Sequence, residues 1–176
     1  MPRSGALAAL RFVRAGGVFV QQLRRLKDED YPQIIQVVDD WWGGRQMADM
    51  LPRLFFQHFS DTSFIVEEDG RPAAFLVGFL SQSRPGEAYI HFVGVDPTRR
   101  QEGLGRQLYE RFFETVAGRG ATTVHCVTSP INQRSVAFHR AMGFRIEAGS
   151  GTADGVPVHA NYDGRGHDRV VFTLDL

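Results

Sequence analysis

The chain has 176 residues, of which 43% are hydrophobic and 11% aromatic, and this composition predicts one globular domain with a substantial core. Lys plus Arg and Asp plus Glu both number 20, so the formal net charge is zero and no basic field favours nucleic acid or an anionic membrane. The single cysteine, Cys126, fits a reducing compartment such as the cytoplasm, no apolar run of about 18 residues predicts a membrane span, and the scattered histidines form no metal cluster.

The first 17 residues are predicted to be a flexible extension, followed by one domain at residues 18–176. Arg11 and Arg14 interrupt the short apolar stretch that would form the core of a signal peptide, and no clean small-residue cleavage site follows. A start site placed too far upstream is the other explanation that the sequence leaves open for this segment.

Hydrophobic periodicity and turn signals predict the elements that follow. In chain order they are a strand at 18–26, helices at about 31–40 and 47–59, strands at 63–68, 73–81 and 88–95, a helix at 103–117, a strand at 122–127, a helix at 132–142, a strand from 144 and a final strand at 170–174. Pro52 falls inside the second helix, which therefore either kinks or begins late. Residues 149–155 are predicted to be a loop. The order of elements indicates a layered α/β sheet.

The most informative segment runs from Tyr89 to Glu110. An apolar strand ends at Val95, and the cationic, glycine-containing segment 99–105 then opens an amphipathic helix. The N–H groups at a helix start lack intrahelical acceptors, and the helix dipole favours negative charge there. Gly103 and Gly105 allow close approach of a ligand because they carry no Cβ. The segment is therefore a candidate pyrophosphate site.

Two motifs resemble the GNAT superfamily of N-acyltransferases. Arg100 to Gly105 matches the family's acetyl-CoA pattern, Arg/Gln-x-x-Gly-x-Gly/Ala. Asn132 to Phe144 is similar to a second signature, in which Asn-x-x-Ser/Ala opens a helix that ends in Gly-Phe. Both matches stand in the family's order and at its separation. The resemblance implies an α/β GNAT fold, with a mixed, mostly antiparallel central sheet whose central strands splay apart and are flanked by helices.

The resemblance also implies where acetyl-CoA, the co-substrate, would bind. The backbone of Val93, Gly94 and Val95 would pair with the pantetheine as an added strand does. Close approach of that ligand would explain a glycine inside a strand, although a β-bulge would explain Gly94 as well. The pyrophosphate would bind the phosphate loop, with charge-assisted help from Arg99 or Arg100. The residues of this loop are Arg100, Gln101, Glu102, Gly103, Leu104, Gly105 and Arg106.

The last predicted helix departs from the family pattern at His139. Relatives usually have a tyrosine there, four residues before the glycine, and it protonates the departing CoA thiolate. An imidazole could do the same, or His139 could be a surface helix residue. Asn132 would bond the pantetheine or a nearby carbonyl, or it simply starts the helix. Ser135 would help to hold the cofactor.

The general base is expected on the strand that precedes the loop. Alternation places Tyr89, His91, Val93 and Val95 on one face. Relatives have Glu or His at the positions of Tyr89, His91 or both, so His91 is the leading candidate and Glu87 the second. The ordinary alternatives are a buried core histidine for His91 and a residue at the mouth of a turn for Glu87.

The acceptor pocket in the family is usually formed by two regions, the loop between the first two helices and the late strands. Trp41, Trp42 and Arg45 occupy the first of these regions, with Trp41 expected to be core. Asp39 or Asp40 could hold a cationic amine or be an exposed helix-end acid. The late polar residues that could close the pocket are Asn161, Tyr162, Asp163 and His167.

The leading hypothesis is an acetyl-CoA-dependent N-acetyltransferase that acylates a primary amine by direct transfer in a ternary complex. The amine would belong to a small molecule, an amino acid or a peptide. A non-catalytic acyl-CoA sensor of the same fold is the second hypothesis, and a larger acyl donor is the third. The resemblance also suggests that the protein could form a homodimer through the late strands, since such dimers are common in the family.

Overall fold

The computed structural model describes residues 10–14 and 17–176. The described residues form two compact units. The first unit comprises the residues up to Phe79 together with Phe92–Thr115, and the second comprises Leu80–His91 and Val116–Leu176. Of the predicted N-terminal extension, residues 1–9, 15 and 16 lie outside the described residues.

The elements of the first unit are β1 Leu10–Arg14, β2 Gly17–Arg25, α1 Tyr31–Trp41, α2 Leu54–His58, β3 Phe64–Glu68, β4 Arg71–Leu80, the second part of β5 Glu87–Val95 and most of α3 Leu104–Ala117. Its sheet has the order β1-β2-β3-β4-β5, in which the β1–β2, β2–β3 and β3–β4 ladders are antiparallel. Strand β1 differs from the expectation of an unstructured extension, because its backbone pairs with β2 along its whole length.

The core of the first unit forms between α1 and the aromatic face of its sheet. Ile34, Val38 and Trp41 recur three or four residues apart and are all buried, as expected for one face of a helix. The rings of Phe75 and Phe92 stack with centroids 5.8 Å apart. Burying side chains of this size contributes about 1.5–3 kcal/mol each. The prediction that Trp41 belongs to the core is confirmed, since it is 7% exposed.

The second predicted helix begins late. Only Leu54–His58 is α-helical, and a short 3₁₀ turn at Ala48–Met50 precedes it. Pro52 explains the late start, because proline has no N–H to donate and disfavours helical conformation in the residue before it. Of the two outcomes that the sequence left open, the late start is the observed one.

The elements of the second unit besides the first part of β5 are β6 Thr123–Thr128, α4 Gln133–Ala141, β7 Arg145–Ile146, β8 Gly151–Ala153, β9 Val156–Val158 and β10 Val170–Asp175. Its sheet has the order β5-β6-β10-β7. The first part of β5 runs parallel to β6, and the pairs β6–β10 and β10–β7 are antiparallel, so the sheet is mixed and mostly antiparallel as predicted. The parallel ladder joins Glu87–Ile90 to Thr123–Cys126.

A small hairpin replaces much of the loop predicted at residues 149–155. Strands β8 and β9 pair antiparallel around Asp154 and Gly155, which have φ angles of 50° and 76°. Asp-Gly is the usual sequence of a two-residue hairpin turn, because both positions need left-handed backbone. The signal was therefore present in the sequence, but the flanking strands are only three residues long.

Candidate active site

Strand β5 carries the predicted alternation of faces. Ala88, Ile90, Phe92 and Gly94 are buried, and the intervening residues from Glu87 to Val95 are half-buried. The prediction that Tyr89, His91, Val93 and Val95 share a face with Glu87 is confirmed by this pattern. Glu87, Tyr89 and His91 belong to the second unit, and Val93 and Val95 belong to the first.

Gly94 has a packing reason to be glycine. A Cβ at this position would lie 2.5 Å from Cε1 of Phe75, whose ring occupies the space. Non-bonded carbon atoms do not approach each other this closely, so any larger residue at position 94 would force the ring of Phe75 to move. The packing of Phe75 therefore explains the glycine without a ligand or a bulge.

The phosphate loop after β5 is ordered by local hydrogen bonds and left-handed residues. The carboxylate of Asp96 accepts hydrogen bonds from the backbone and hydroxyl of Thr98, at 2.8 and 2.7 Å. Gln101 and Gly103 have φ angles of 71° and 82°. Left-handed residues turn successive N–H groups toward one side and so form anion-binding concavities. Gln101 is strained in this conformation because it carries a Cβ.

Helix α3 starts directly after this turn. Its first backbone bond is donated by Gln107 to the carbonyl of Gly103, at 3.0 Å. Helix geometry therefore leaves the N–H groups from Gly103 to Arg106 without intrahelical acceptors. Gln101, Glu102 and Gly103 are exposed, and a Cβ built on Gly103 would meet no atom within 4 Å. The start of α3 is thus open on the side of the loop.

Two arginines at the start of the phosphate loop bind other groups of the first unit: Arg99, directly before the loop, and Arg100, its first residue. Arg99 is paired with Glu68 on β3 and with Glu102, and its side chain is only 15% exposed. It is therefore not a solvated surface charge. Nη2 of Arg100 donates to the carbonyl of Trp41, at 2.7 Å. These contacts connect the start of the loop to β3 and to the last residue of α1.

The loop between α1 and α2 is also structured by its acids. Oδ1 of Asp39 accepts the N–H groups of Met47 and Ala48 at 2.7 and 2.8 Å, so this carboxylate holds the following 3₁₀ turn. Asp40 is exposed at the helix end, as its ordinary interpretation predicts, and Arg45 is exposed as well. The ring of Trp42 packs on Phe92, with centroids 5.1 Å apart.

Helix α4 in the second unit begins as the sequence predicts. The side chain of Asn132 accepts a hydrogen bond from the backbone N–H of Ser135, at 3.2 Å, which is the usual N-cap contact. This contact accounts for Asn132 as a helix start. Ser135 is half-buried on the first turn of the helix, where its carbonyl and hydroxyl both lie near the ring of His139.

His139 is a core residue of the second unit, so its interpretation as a surface helix residue is wrong. Its side chain is 6% exposed and stacks on Phe172, with centroids 4.5 Å apart. Nδ1 lies 2.8 Å from the carbonyl of Ser135, so Nδ1 carries a proton and donates it. Burial lowers the pKa of the His139 imidazole, and the bond to Ser135 opposes that effect only in part.

Tyr89 lies beside the late loop of the second unit. Burial raises the pKa of its phenol, and Tyr162 and Cys126 add to the effect. The guanidinium of Arg169, which opposes this increase in the pKa of Tyr89, is itself paired with Asp163, with Nε and Oδ2 2.6 Å apart. Tyr89 is therefore an uncharged hydrogen-bonding group at neutral pH.

The loop from Asn161 to Asp168 is compact. The N–H of Asn161 donates to Asp168 at 2.8 Å, and its side-chain oxygen accepts from Gly166 at 2.7 Å. The N–H of Asp163 donates to the carbonyl of His167, at 3.2 Å. These bonds gather the four predicted late polar residues into one ordered loop, with Tyr162 exposed.

A cluster that the sequence analysis missed lies on the sheet of the second unit. His125 on β6 stands between Glu87 on β5 and Glu147 after β7, with Nε2–Oε2 and Nδ1–Oε1 distances of 3.5 and 3.6 Å. Thr173 on β10 contacts both His125 and Glu147. Alternation along β6 places His125 on the half-buried face. Glu147, however, carries no sequence signal.

Cys126 is a buried core residue, and burial raises the pKa of its thiol. Among residues 10–14 and 17–176, no helix has the length and apolar character needed to cross a bilayer. The same residues bring together no group of three or more His, Cys, Asp or Glu suited to a metal ion.

Comparison with known proteins identifies the family. The family model described as the acetyltransferase (GNAT) family matches residues 20–144. L-2,4-diaminobutyric acid acetyltransferase of Nocardia farcinica is 33% identical over 92 residues, which is 52% of this chain and 48% of that protein. The [ribosomal protein bS18]-alanine N-acetyltransferase of Escherichia coli K12 is 29% identical over 82 residues, covering 47% of this chain and 53% of that protein.

Solved structures share the fold. Diaminobutyrate acetyltransferase of Paenibacillus lautus, in complex with L-2,4-diaminobutyric acid and coenzyme A, superposes with a TM-score of 0.64. That match covers 88% of this chain and 94% of the other, at 19% identity, so it shows the fold alone. The chain matches about half the length of its curated relatives, so their activities are not transferred with the fold.

Proposed function

Since the chain belongs to the GNAT family of acetyltransferases, we propose that it transfers the acetyl group of acetyl-CoA to a primary amine, directly and in a ternary complex. The observation that carries the proposal is the phosphate loop, where left-handed Gln101 and Gly103 precede the open start of α3. Its arrangement suits a pyrophosphate, because backbone N–H groups and the helix dipole act on the same anion.

The proposed cofactor contacts follow from this placement. Backbone N–H groups from Gln101 to Arg106 bind the pyrophosphate, and the exposed residues of the loop leave room for it. The backbone of Val93, Gly94 and Val95 pairs with the pantetheine. Asn132 and Ser135 are proposed to contact the cofactor near α4, a role that adds to their place at the helix start.

The proposed reaction needs a base but no covalent enzyme intermediate. The ammonium loses a proton, and the freed lone pair attacks the thioester carbon. The nitrogen of the tetrahedral intermediate gives up its second proton to solvent as the C–S bond breaks, and CoA leaves as a thiolate that takes a proton. The base is proposed on the half-buried face of β5. Glu87 is preferred to His91, because its carboxylate lies within ion-pair distance of His125. Tyr89, uncharged on the same face, is proposed to orient the amine.

The thiolate is proposed to take its proton from water. His139 was the sequence-based candidate for this step, but its Nδ1 proton is donated to Ser135 and burial keeps the imidazole neutral. A neutral imidazole protonated at Nδ1 has a lone pair at Nε2 and cannot donate from it. The geometry therefore supports a packing role for His139.

The acceptor is proposed to be an amino acid or the amino terminus of a peptide. The relatives reported above are named for L-2,4-diaminobutyric acid and for the alanine of a ribosomal protein. Both classes present a primary amine. The neutral net charge gives no support to a nucleic-acid ligand.

The location and the oligomeric state are part of the proposal as well. A reducing compartment such as the cytoplasm fits a single buried cysteine. A homodimer through the late strands is supported by β7, which is the outer strand of the sheet in the second unit. Light scattering coupled to size exclusion distinguishes a dimer from a monomer.

The cofactor assignment is tested by calorimetry of acetyl-CoA binding to Gly105→Glu. The substitution places a side chain and a negative charge at the start of α3, against the pyrophosphate, so binding should be lost. Ala117→Glu is the matched control, because it adds the same residue at the exposed far end of α3 and should bind like the wild type. Wild-type affinity in Gly105→Glu would contradict the loop assignment.

A non-catalytic acyl-CoA sensor is the second candidate. The observation in its favour is His139, a buried neutral residue at the position where relatives usually have the acid. Acetyl-CoA binding without turnover of any amine, and without an effect of replacing Glu87, would favour the sensor. Turnover that depends on Glu87 would favour the enzyme.

A further inference from the structure

Four polar side chains form a continuous chain of contacts across the sheet of the second unit. In spatial order they are Glu87, His125, Thr173 and Glu147, from three neighbouring strands and the residue that follows β7. Nε2 of His125 faces Oε2 of Glu87, and Nδ1 faces Oγ1 of Thr173, at 3.5 and 3.1 Å. Thr173 also donates to Oε1 of Glu147. We call this set the relay.

The protons of the relay can be assigned from its hydrogen bonds. The hydroxyl of Thr173 has one proton, and an ionised carboxylate only accepts, so that proton is donated to Glu147. Oγ1 can then only accept from His125. Nδ1 of His125 must therefore be protonated. In the neutral imidazole the other nitrogen, Nε2, has a free lone pair.

A second acceptor, the Glu87 carboxylate, lies near that nitrogen. Nε2 and the Glu87 carboxylate are 3.5 Å apart, and two acceptors repel at this distance unless a proton lies between them. The side chains of His125 and Glu87 are 21% and 31% exposed, so solvent reaches both. A proton at Nε2 therefore lies between the imidazole and the Glu87 carboxylate, which can accept it as a hydrogen bond.

Three other side chains lie around the relay. Arg84, in the turn before β5, pairs with the same Glu87 oxygen that faces His125, with Nη1 and Oε2 3.5 Å apart, and is mostly exposed. Tyr89 is paired with His125 in register, but its raised pKa keeps it uncharged. Arg145 is paired in register with Thr173, and its guanidinium binds Asp175, at 2.9 Å. Glu87 and Glu147 are thus the anions of the relay.

We propose that Glu87, the proposed base, takes the proton that the acceptor ammonium loses before the amine attacks the thioester, and that Glu87 passes this proton to Nε2 of His125. An N–H bond of the ammonium breaks, its electron pair stays on the amine nitrogen, an O–H bond forms at Glu87 and then breaks, and a new N–H bond forms at Nε2. The imidazolium releases the proton to solvent after transfer. Thr173 and Glu147 are positioning residues that fix the Nδ1–H tautomer. The proposal rests on the proposed acetyltransferase function.

The tautomer is tested independently of activity by ¹⁵N NMR of the histidine side chains, with His125 assigned by its loss in His125→Gln. Neutral His125 should be protonated at Nδ1 and not at Nε2. Thr173→Val should populate the Nε2–H form, because Nε2–H can donate to Glu87. Thr173→Ser, which keeps the hydroxyl, should preserve the Nδ1–H form. An Nε2–H tautomer in the wild type, or an unchanged tautomer in Thr173→Val, would overturn the relay.

The catalytic role is tested by kinetics. His125→Gln should lower kcat/KM for the amine about 100-fold, a typical loss when general-base catalysis is impaired, while acetyl-CoA binding measured by calorimetry stays within about twofold. The matched control is His58→Gln at an exposed residue of α2, which should keep wild-type kinetics. Wild-type kcat in His125→Gln would refute the role. If no amine is acetylated at all, the result contradicts the proposed function and not the relay, which the NMR measurement tests separately.

Discussion

At the scale of single residues, the interior of the second unit holds a histidine where a polar catalytic group was expected. His139 lies between Phe172 and Phe144, and the backbone carbonyl of Ser135 binds its only proton. Aromatic packing explains why this position tolerates an imidazole only in its neutral form. The same burial has a measurable consequence for stability.

Acidification should destabilise the protein partly through His139. Burial lowers the pKa of this histidine below about 6.5, its value in an unfolded chain. As pH falls below about 6.5, the unfolded chain binds the proton before the folded protein does. The contribution of neutral His139 to stability is therefore fully present above about pH 6.5 and is lost below it, by at most about 1.4 kcal/mol per pH unit.

The test is urea unfolding between pH 7 and pH 5. His139→Phe keeps an aromatic ring in the stack but cannot titrate, so its free energy of unfolding should fall less with pH than that of the wild type. His58→Gln, at an exposed histidine, is the control and should retain the wild-type slope. Equal slopes in His139→Phe and the wild type would contradict a buried neutral imidazole.

Single residues also show where prediction from sequence stops. The faces of β5 could be predicted because alternation is local, and the partners of Glu87 could not. Glu87, His125, Thr173 and Glu147 come together only through the pairing of β5, β6, β10 and β7. The packing of Phe75 against Gly94 is likewise non-local, so a ligand was the natural explanation from sequence alone.

At the scale of elements, the phosphate loop is stabilised by Arg99, the residue directly before it. Arg99 links Glu68 on β3 to Glu102 in the loop, and the side chains of Arg99 and Glu68 are 15% and 12% exposed. A charged pair this far from solvent is costly to break, because the remaining charge stays buried. The conformation of the loop therefore depends on β3.

Glu68→Gln should weaken both stability and cofactor binding. The amide removes the charge that holds Arg99, so the free energy of unfolding should fall by about 2 kcal/mol. The Kd for acetyl-CoA should rise about tenfold if the loop loosens, which corresponds to about 1.4 kcal/mol. Denaturant unfolding and calorimetry measure the two effects.

Glu114→Gln provides the comparison for Glu68→Gln. Glu114 pairs with Arg111 on the surface of α3 and is 70% exposed, so its loss should change neither quantity measurably. If Glu68→Gln lowers stability but leaves the Kd unchanged, the Arg99 pair serves the fold alone and does not order the loop for the cofactor.

Most elements were predicted well, and strand β1 and the β8–β9 hairpin were not. Helix α3 and strands β3 to β6 lie within two residues of their predicted bounds. Strand β1 was missed because its stability comes from pairing with β2 rather than from a pattern of its own. The turn at Asp154 has a clear signal, but three-residue strands are too short to show alternation.

At the scale of the whole molecule, two motifs were enough to predict the family and its sheet. The phosphate loop belongs to the first unit and the relay belongs to the second, and strand β5 contributes residues to both. The acceptor could not be predicted, because one fold carries sites for many substrates and the residues that select an amine lie in irregular loops.

The central claim is acetyl transfer, and the most direct measurement follows both products at once. The protein is incubated with acetyl-CoA and a panel of amines that includes L-2,4-diaminobutyric acid and a peptide with an amino-terminal alanine. Thiol release and the mass of each amine are then recorded for the wild type and Gly105→Glu. We predict that one class of amine gains a single acetyl group, with an equal amount of free CoA, and only with the wild type. Acetyl-CoA binding by the wild type with no acetylated amine would contradict the claim and favour the sensor.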